Sequence, residues 1–347
     1  MNRTFETIHL ECEILSPVHV GTGEEIPLYE YVISDGKLSK LNFDKVIASL
    51  NAQQLERFNR LNEKGNYLEL RAFLSELYEN QAFRQAATEF EIPVTPEIEG
   101  LYREKLDDPA NQLLIKLQQR NPLTFEPILP GSSIKGAIRT AIISKLGSKY
   151  QPGELRGRPQ EVEGKILDAL WDGKFKVEWD VFKFLKAPDV ALPAGSTFVC
   201  AVKNVMKPES GELFPTKIQM IHEVFHSKLT NHPVKFTISL RLSPQMKPRY
   251  GPQIDKNFIA QACREFYKNK LEIVEGRYFA NSPYAGAINL LVSSMNYNEN
   301  EFLLRVGRFS GMESITLDKH RTARPSASRN LADGKYPMGW IKCRIIN

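Results

Sequence analysis

The sequence lacks any run of about 18 apolar residues, the length that a helix needs to cross a bilayer. Its opening stretch, MNRTFETIHLECEIL, alternates apolar and polar side chains and includes acids, unlike the continuous apolar core of a secretory signal peptide. We therefore predict no membrane partner, and we expect the protein to be cytoplasmic.

Cysteine is also scarce, and no two cysteines form a CxxC pair. Structural thiols in a reducing compartment are the favoured interpretation, and a metal or disulfide role is the alternative. No cofactor is predicted. The cysteines are Cys12, Cys200, Cys263 and Cys343.

Net charge is small, at +5, but it is unevenly distributed. From Arg305 to Asn347 there are nine Lys/Arg against three acids, whereas residues 45–120 contain ten basic and twelve acidic residues. A basic end on a near-neutral body favours a polyanion as partner, and a solvated basic surface is the alternative. Arg321 and Arg324 are the candidate electrostatic contacts in this end.

Alternating and helical periodicities succeed each other along the chain. Apolar residues alternate with polar ones from Ile8 to Ile14 and again in VKFTISLRL, which predicts two half-buried strands. From about residue 44 to 120 the apolar spacing is helical, with a break at EIPVTPEI. We predict an α+β fold of two ferredoxin-like (RNA-recognition-like) domains, residues 1–210 with this helical insertion and residues 211–347.

Shorter patterns predict the remaining elements. Helices are expected over residues 133–146 and in DKNFIAQACREFYKN, whose apolar residues fall on one side. The expected strands are KVEWDVFKFL, STFVCAVKNVM, AINLLVSS, EFLLRVG and GWIKCRII.

The stretch PGSSIKGAIRT predicts a helix start suited to phosphate. Gly131 belongs to the turn, and Ser132 or Ser133 would cap the helix after it. The free N–H groups of a first helical turn, together with the helix dipole, attract anions. Lys135 and Arg139, four residues apart, would add positive charge on one face. A well-capped surface helix without a ligand is the alternative.

The stretch LRVGRFSGMESIT predicts a second flexible loop. Gly307 and Gly311 flank Arg308 and Ser310, and Arg305 precedes them. Backbone N–H groups and a guanidinium in such a loop can follow a ribose-phosphate chain. A tight β-turn without a ligand is the alternative.

A third glycine-bearing loop lies in SPVHVGTGEE. Gly21 and Gly23 could bring its backbone close to RNA, and His19 could stack on a base. An ordinary turn histidine is the alternative.

The stretch HEVFHSKLTNH has the spacing of a zinc-peptidase helix. His222 and His226 would share one helical face, Glu223 would polarise a bound water, and His232 would be the third ligand. The favoured interpretation is that no metal binds and that these histidines lie in the connection that leads to VKFTISLRL.

The runs LSPVHVGTG, PGSSIKGAIRTAI and LRVGRFSGMESIT, with PMGW near the end, together resemble the repeat-associated RNA-binding (RAMP) proteins of type III CRISPR systems. Within that superfamily, RVGRFSGMESIT…PMGW is most similar to the fifth-subunit family of the type III-A (Csm) effector complex. These signatures extend from residue 15 to residue 340, and the helical insertion carries no part of the match.

The resemblance implies a non-catalytic subunit that caps the backbone filament, holds the 3′ part of the CRISPR RNA and supports maturation of its 3′ end in antiviral defence. The implied partners are CRISPR RNA, target RNA in the assembled complex, the backbone and small subunits, and host ribonucleases. Target cleavage is not expected, because the aspartate of the cutting backbone subunits is replaced here by Tyr29. Glu30, beside it, is the carboxylate that would supply the alternative.

Overall fold

The computed structural model describes residues 5–105, 108, 113–207, 212–311, 314, 317, 320 and 327–346. Across these residues, no helix is both long enough and apolar enough to span a membrane. All four cysteines are buried, and none is in a disulfide.

The strands are numbered in chain order. They are β1 Glu6–Ile14, β2 Glu25–Ile26, β3 Tyr31–Ser34, β4 Lys37–Leu41, β5 Thr88–Pro93, β6 Ile115–Lys116, β7 Ile128–Leu129, β8 Leu170–Trp171, β9 Lys174–Phe175, β10 Leu185–Lys186, β11 Val190–Ala191, β12 Thr197–Met206, β13 Phe214–Phe225, β14 Lys235–Leu242, β15 Glu301–Arg305, β16 Ser328–Ala332, β17 Tyr336–Pro337 and β18 Trp340–Ile346.

The helices are numbered in the same way, and a π-helical segment, Asn269–Glu275, joins α8 to α9. They are α1 Phe43–Ser49, α2 Ala52–Glu63, α3 Tyr67–Tyr78, α4 Gln81–Ala87, α5 Pro96–Glu104, α6 Gly131–Gly147, α7 Pro159–Ile166, α8 Lys256–Lys268, α9 Gly276–Phe279 and α10 Ala285–Ser293.

The first large sheet is antiparallel and has the order β10-β14-β1-β18-β15. Central β1 places Leu10 opposite Ile238 of β14 and opposite Ile345 of β18. Alternate residues of β1 are buried, which gives the sheet one apolar face. Helices α6 and α8 share the core formed on that face, and the hydroxyl of Tyr267 in α8 donates to the Ala137 carbonyl of α6 at 2.9 Å.

The second large sheet has the order β17-β16-β12-β13-β6-β2, with β12 and β13 at its centre. Only the β13–β6 pair is parallel among the pairs of this sheet in the described residues. Val18, shortly after β1, forms a bridge with Phe225 at the end of β13. The chain that leaves the first sheet therefore passes directly along the second.

The predicted insertion is present, but it is not purely helical. Asparagine side chains begin four of its helices by accepting hydrogen bonds from first-turn N–H groups, as expected of N-caps. The break at EIPVTPEI contains part of β5, which pairs with β4. Helices α1–α4 therefore pack around a three-stranded sheet, β3-β4-β5. The capping residues are Asn42, Asn51, Asn66 and Asn80.

Two predicted strands are wrong. AINLLVSS forms α10, and KVEWDVFKFL forms 3₁₀ turns at Val177–Trp179 and Val181–Phe184 before the short β10. Short apolar runs fit a buried strand and a buried helix equally well, so periodicity does not decide between them. The remaining predicted strands form as β1, β12, β14, β15 and β18.

The mixed α+β class is confirmed, and the arrangement as two ferredoxin-like domains stays a prediction. Each large sheet takes strands from both sides of residue 210. Strand β1 pairs with β14 and β18, and β12 pairs with β13 and β16. The predicted division between residues 1–210 and 211–347 therefore does not coincide with a boundary between sheets.

Candidate nucleic-acid interface

Three segments that are distant in sequence supply most of the lining of one cleft of about 650 Å³, to which Glu163 and Tyr267 also contribute. These segments are the loop after β1, one face of α6, and the loop after β15. The cleft brings together many of the predicted residues, namely His19, Gly21, Gly23, Ser133, Arg305, Gly307, Arg308, Ser310 and Gly311. The predicted residues Gly131, Ser132, Lys135 and Arg139 are not among its lining residues. Arg321 and Arg324 lie outside the described residues.

The two loops meet backbone to backbone. Gly307 has a φ of +87°, and a Cβ atom on it would lie 2.4 Å from the carbonyl oxygen of His19. The next residue, Arg308, donates its N–H to that same oxygen at 3.0 Å. A Cβ atom on Gly21 would lie 2.5 Å from the carbonyl oxygen of Leu117. Glycine is therefore needed at both positions for the loops to approach each other and the chain beneath them.

A buried polar network holds the loop after β1. The Gln118 side chain donates to the Val18 carbonyl at 2.6 Å and accepts from the Val20 N–H at 2.7 Å. Glu223 of β13 in turn accepts from the Gln118 N–H at 2.9 Å and from the Thr197 hydroxyl at 2.6 Å.

Glu223 also forms an ion pair with Arg120. Burial raises the pKa of Glu223, and the Arg120 charge acts against that rise. The carboxylate is fully buried, and its bonds to Gln118, Thr197 and Arg120 occupy it. Glu223 is therefore a structural anchor of the loop.

His19 is part of the same frame, which corrects its predicted stacking on a base. Its side chain is buried, and Nδ1 donates to the Glu223 carbonyl at 2.7 Å. Its ring meets the His222 ring edge to face at 4.6 Å. Burial lowers the pKa of His19 to about 4, so the ring is neutral at physiological pH. The residue supports the cleft from beneath and offers a ligand only its backbone.

The zinc-peptidase alternative depends on a helix that does not form. His222 and Glu223 are successive residues of β13, so their side chains point to opposite faces of the sheet. His226 stacks on Phe198 at 4.4 Å and lies beside His232 at 4.9 Å. In the described parts of the chain, no three His, Cys, Asp or Glu side chains are grouped as metal ligands.

The α6 start is covered at Gly131 and lacks the predicted serine caps, which corrects the predicted geometry, whereas Ser133 lines the cleft. The helix begins at Gly131, two residues earlier than expected, and neither Ser132 nor Ser133 caps it. The Gly131 N–H donates to Asp189 Oδ1 at 2.8 Å. A Cβ atom on Gly131 would lie 2.2 Å from the Ala187 carbonyl oxygen. A carboxylate and a neighbouring loop thus occupy the place expected for an anion.

Arg139 is likewise occupied. Its guanidinium pairs with Glu163 and Asp180, each at 2.7 Å, and lies over the Phe182 ring. Lys135 is half-buried, and burial, together with nearby Lys186, lowers its pKa. In this arrangement Arg139 fixes α6 to its neighbours.

The two arginines of the third segment differ in kind. Arg305 is buried, pairs with Glu275 at 3.1 Å, donates to the Met338 carbonyl at 3.2 Å and lies over the Trp340 ring. Arg308 is exposed and forms no ion pair with any residue that the structure describes. Arg308 is therefore the cleft cation that an anion can reach, whereas Arg305 is buried beneath the cleft and paired with Glu275.

Sequence reasoning missed Phe309 and Gln118. Phe309 is buried, and its ring lies 4.9 Å from that of His222, which anchors the loop from below. An apolar residue between two glycines was a usable signal for this anchor. Gln118 had none, because the backbone groups it binds are about 100 residues away along the chain.

The position that replaces the backbone subunits' aspartate lies outside the cleft lining. Tyr29 stacks on Tyr67 of α3, with ring centroids 5.0 Å apart. Glu30 pairs with Lys40 at 3.1 Å.

Comparison with known proteins confirms the family resemblance. The model of the RAMP superfamily matches residues 11–279. The curated "CRISPR system Cms protein Csm5" of Methanocaldococcus jannaschii is 25% identical over 282 residues, which cover 77% of this chain. The match spans 62% of that relative's length.

Two solved structures have a similar fold. A chain of the cryo-EM structure of a Csm–crRNA–target RNA ternary complex from a type III-A CRISPR-Cas system aligns with a TM-score of 0.69 and 16% identity, over 98% of this chain and 100% of that one. The crystal structure of T. onnurineus Csm5 aligns with a TM-score of 0.65 and 17% identity, over 95% and 99%.

Proposed function

The chain belongs to the RAMP superfamily, and from that membership we propose that it is an RNA-binding subunit of a type III-A CRISPR effector complex. The observation that carries the proposal is the convergence of three separate segments on one cleft. Two of them offer glycine-rich backbone, and Arg308 adds an exposed cation. Backbone N–H groups and one guanidinium suit a phosphate chain and do not read base sequence.

We also propose the finer role that the family resemblance implies, which the likeness to Csm5 supports. The subunit caps the backbone filament, holds the 3′ part of the CRISPR RNA and supports its 3′-end maturation. Its partners are CRISPR RNA, target RNA in the assembled complex, the backbone and small subunits, and host ribonucleases at the maturation step. Copurified complexes with and without this chain test the role, since its absence should change the 3′ ends of the bound RNA.

The subunit is proposed to be non-catalytic. The ion pair of Glu30 with Lys40 and the enclosure of Glu223 support this, since neither carboxylate is free to act as a base in the cleft. Incubation of target RNA with the assembled complex tests the claim. Cleavage that is lost on Glu30→Gln would contradict it.

The test of RNA binding is the affinity of the purified chain for single-stranded RNA, compared with Arg308→Glu. We expect the charge reversal to weaken binding at least tenfold, since it removes one phosphate contact and repels its neighbours. Binding by the wild type should also weaken steeply with salt. Arg60→Glu on α2, which is also an exposed arginine and lies outside the cleft, is the matched control. Equal losses in both variants would reduce the effect to net charge and would remove the cleft from the proposal.

A further inference from the structure

Two of the three tryptophans lie side by side on the surface. Trp171 is 62% exposed and Trp179 is 41% exposed, and their rings meet edge to face at 5.8 Å. The third, Trp340, is completely buried. Contiguous exposed aromatic surface usually marks a binding site, because it is otherwise a source of aggregation.

Cations line a hollow beside Trp179, and a third exposed aromatic ring contacts one of them. Lys183, Lys247 and Arg249 line the same hollow as Trp179, along with the acids Asp168 and Glu178. The neighbouring Tyr250 is 76% exposed, with the Arg249 guanidinium 5.2 Å from its ring centroid. We call Trp171, Trp179, Lys183, Lys247, Arg249 and Tyr250 the tryptophan patch.

One ion-pair bridge connects the patch to the cleft. Arg139 contacts Glu163, which lines the cleft, and Asp180, which follows Trp179 directly in sequence, each at 2.7 Å. The width of one guanidinium therefore separates a cleft wall from the chain segment that carries Trp179. Helix α7, which carries Glu163, also packs against β8, the strand that contains Trp171.

We propose that the tryptophan patch is a second contact for single-stranded RNA, at which bases of the strand leaving the cleft stack on Trp171 and Trp179. The inference rests on the proposed function of the cleft and extends it. Exposed π-faces beside cations are what sequence-tolerant binding of single strands requires. Continuity with the cleft favours RNA over a protein segment as the occupant.

The tryptophans report on their own occupancy. Because Trp340 is buried, the quenching of fluorescence by added RNA should come from Trp171 and Trp179. Oligouridines of about 4 and about 16 nucleotides bracket the usual range of single-strand sites. We expect the longer oligonucleotide to quench the fluorescence of Trp171 and Trp179. The shorter one should bind mainly in the cleft and leave this fluorescence largely unchanged.

Variants separate stacking from other causes. Trp171→Ala with Trp179→Ala should weaken binding of the longer RNA about tenfold or more, with little change for the shorter one. Trp171→Phe with Trp179→Phe should lose the quenching but keep the affinity, since phenylalanine also stacks. Tyr67→Leu is the matched control, because Tyr67 is 54% exposed and lies outside the patch. Circular dichroism checks that each variant folds.

The outcomes separate the patch from the cleft. Loss of affinity in Arg308→Glu, with wild-type affinity for both RNAs in the double alanine variant, overturns the patch and leaves the proposed function standing. Wild-type RNA affinity together with failure of that variant to enter the assembled complex assigns the patch to a protein partner, which also overturns the inference. Absence of both binding and quenching in the wild type overturns the patch and the cleft together.

Discussion

The start of α6 and the loop from Gly307 to Gly311 contain the same kinds of residue, yet their environments in the folded chain differ. Both contain glycine, serine and a basic residue, and both were predicted to hold phosphate. At α6, Asp189 takes the first N–H group, and Arg139 is neutralised by two acids. In the loop, Arg308 points to solvent and the glycines line an open cleft.

Local composition therefore identifies a candidate anion site. Residues distant in sequence decide whether its N–H groups and basic side chain remain free to bind an anion. The acids that occupy α6 come from residues 163–189 and become neighbours only in the folded chain. The loop at Gly307 is instead supported from below by backbone contacts and by His19, His222 and Phe309. We therefore expect substitutions at Gly131 and Arg139 of α6 to affect stability, and substitutions in the loop to affect RNA binding.

Gly307→Val should have the largest effect on stability and on RNA binding. A β-branched residue at φ +87°, with its Cβ 2.4 Å from the His19 carbonyl oxygen, is both strained and overlapping. We expect the free energy of unfolding to fall by about 4 kcal/mol or the loops to separate, with loss of RNA binding in either case. Urea unfolding and RNA affinity measure the two outcomes. Wild-type values for both would show that the loops do not meet.

The buried histidines beneath the loop, His19 and His222, should make the free energy of unfolding depend on pH. Burial lowers the pKa of His19 to about 4 and that of His222 to about 2, below the ordinary value of about 6.5. As the pH falls through 6.5, the unfolded chain takes up protons that the folded chain does not, so stability falls. Between pH 7.5 and pH 5.5, these two histidines together should lower the free energy of unfolding by about 3 kcal/mol.

Urea unfolding at the two pH values measures this loss. His226, whose pKa burial also lowers to about 4, adds to it, so His222→Phe should remove about a third of the total. Glu223, whose pKa is raised by burial, acts in the opposite direction, because stability rises as the pH falls through its folded pKa. Identical stability at pH 7.5 and 5.5 would place both imidazoles in water.

Arg139→Ala tests whether this arginine of α6 stabilises the fold or binds RNA. It leaves the partly buried carboxylates of Glu163 and Asp180 without their shared cation. We expect a loss of about 2 kcal/mol in unfolding free energy, between the values for exposed and buried ion pairs. RNA affinity of the folded variant should change less than it does in Arg308→Glu. A large loss of RNA affinity at unchanged stability would instead show that Arg139 binds the RNA phosphates.

Gly136→Ala should have the smallest effect. Gly136 is inside α6, and a Cβ atom on it would meet nothing within 4 Å. Alanine should therefore stabilise the helix by about 1 kcal/mol. Thermal unfolding measures the gain, and reduced RNA affinity would mean that a strand passes close to the helix at this point.

Local signals predicted much of the framework. Helix α8 forms as expected, because the Asp255 cap and the apolar spacing that follows are both contained in the segment. The predicted loops after β1 and β15 do line one cleft. The roles of Arg139 and Arg305 were not predictable, because their carboxylate partners are 24 to 41 residues away along the chain.

The central claim is that RNA lies in the cleft between the loop after β1 and the loop after β15. Photo-crosslinking of RNA that contains 4-thiouridine, followed by mass spectrometry of the crosslinked peptides, tests it most directly. Crosslinks are expected in the peptides that contain Gly21 to Gly23 and Gly307 to Gly311. Crosslinks confined to the insertion would contradict it.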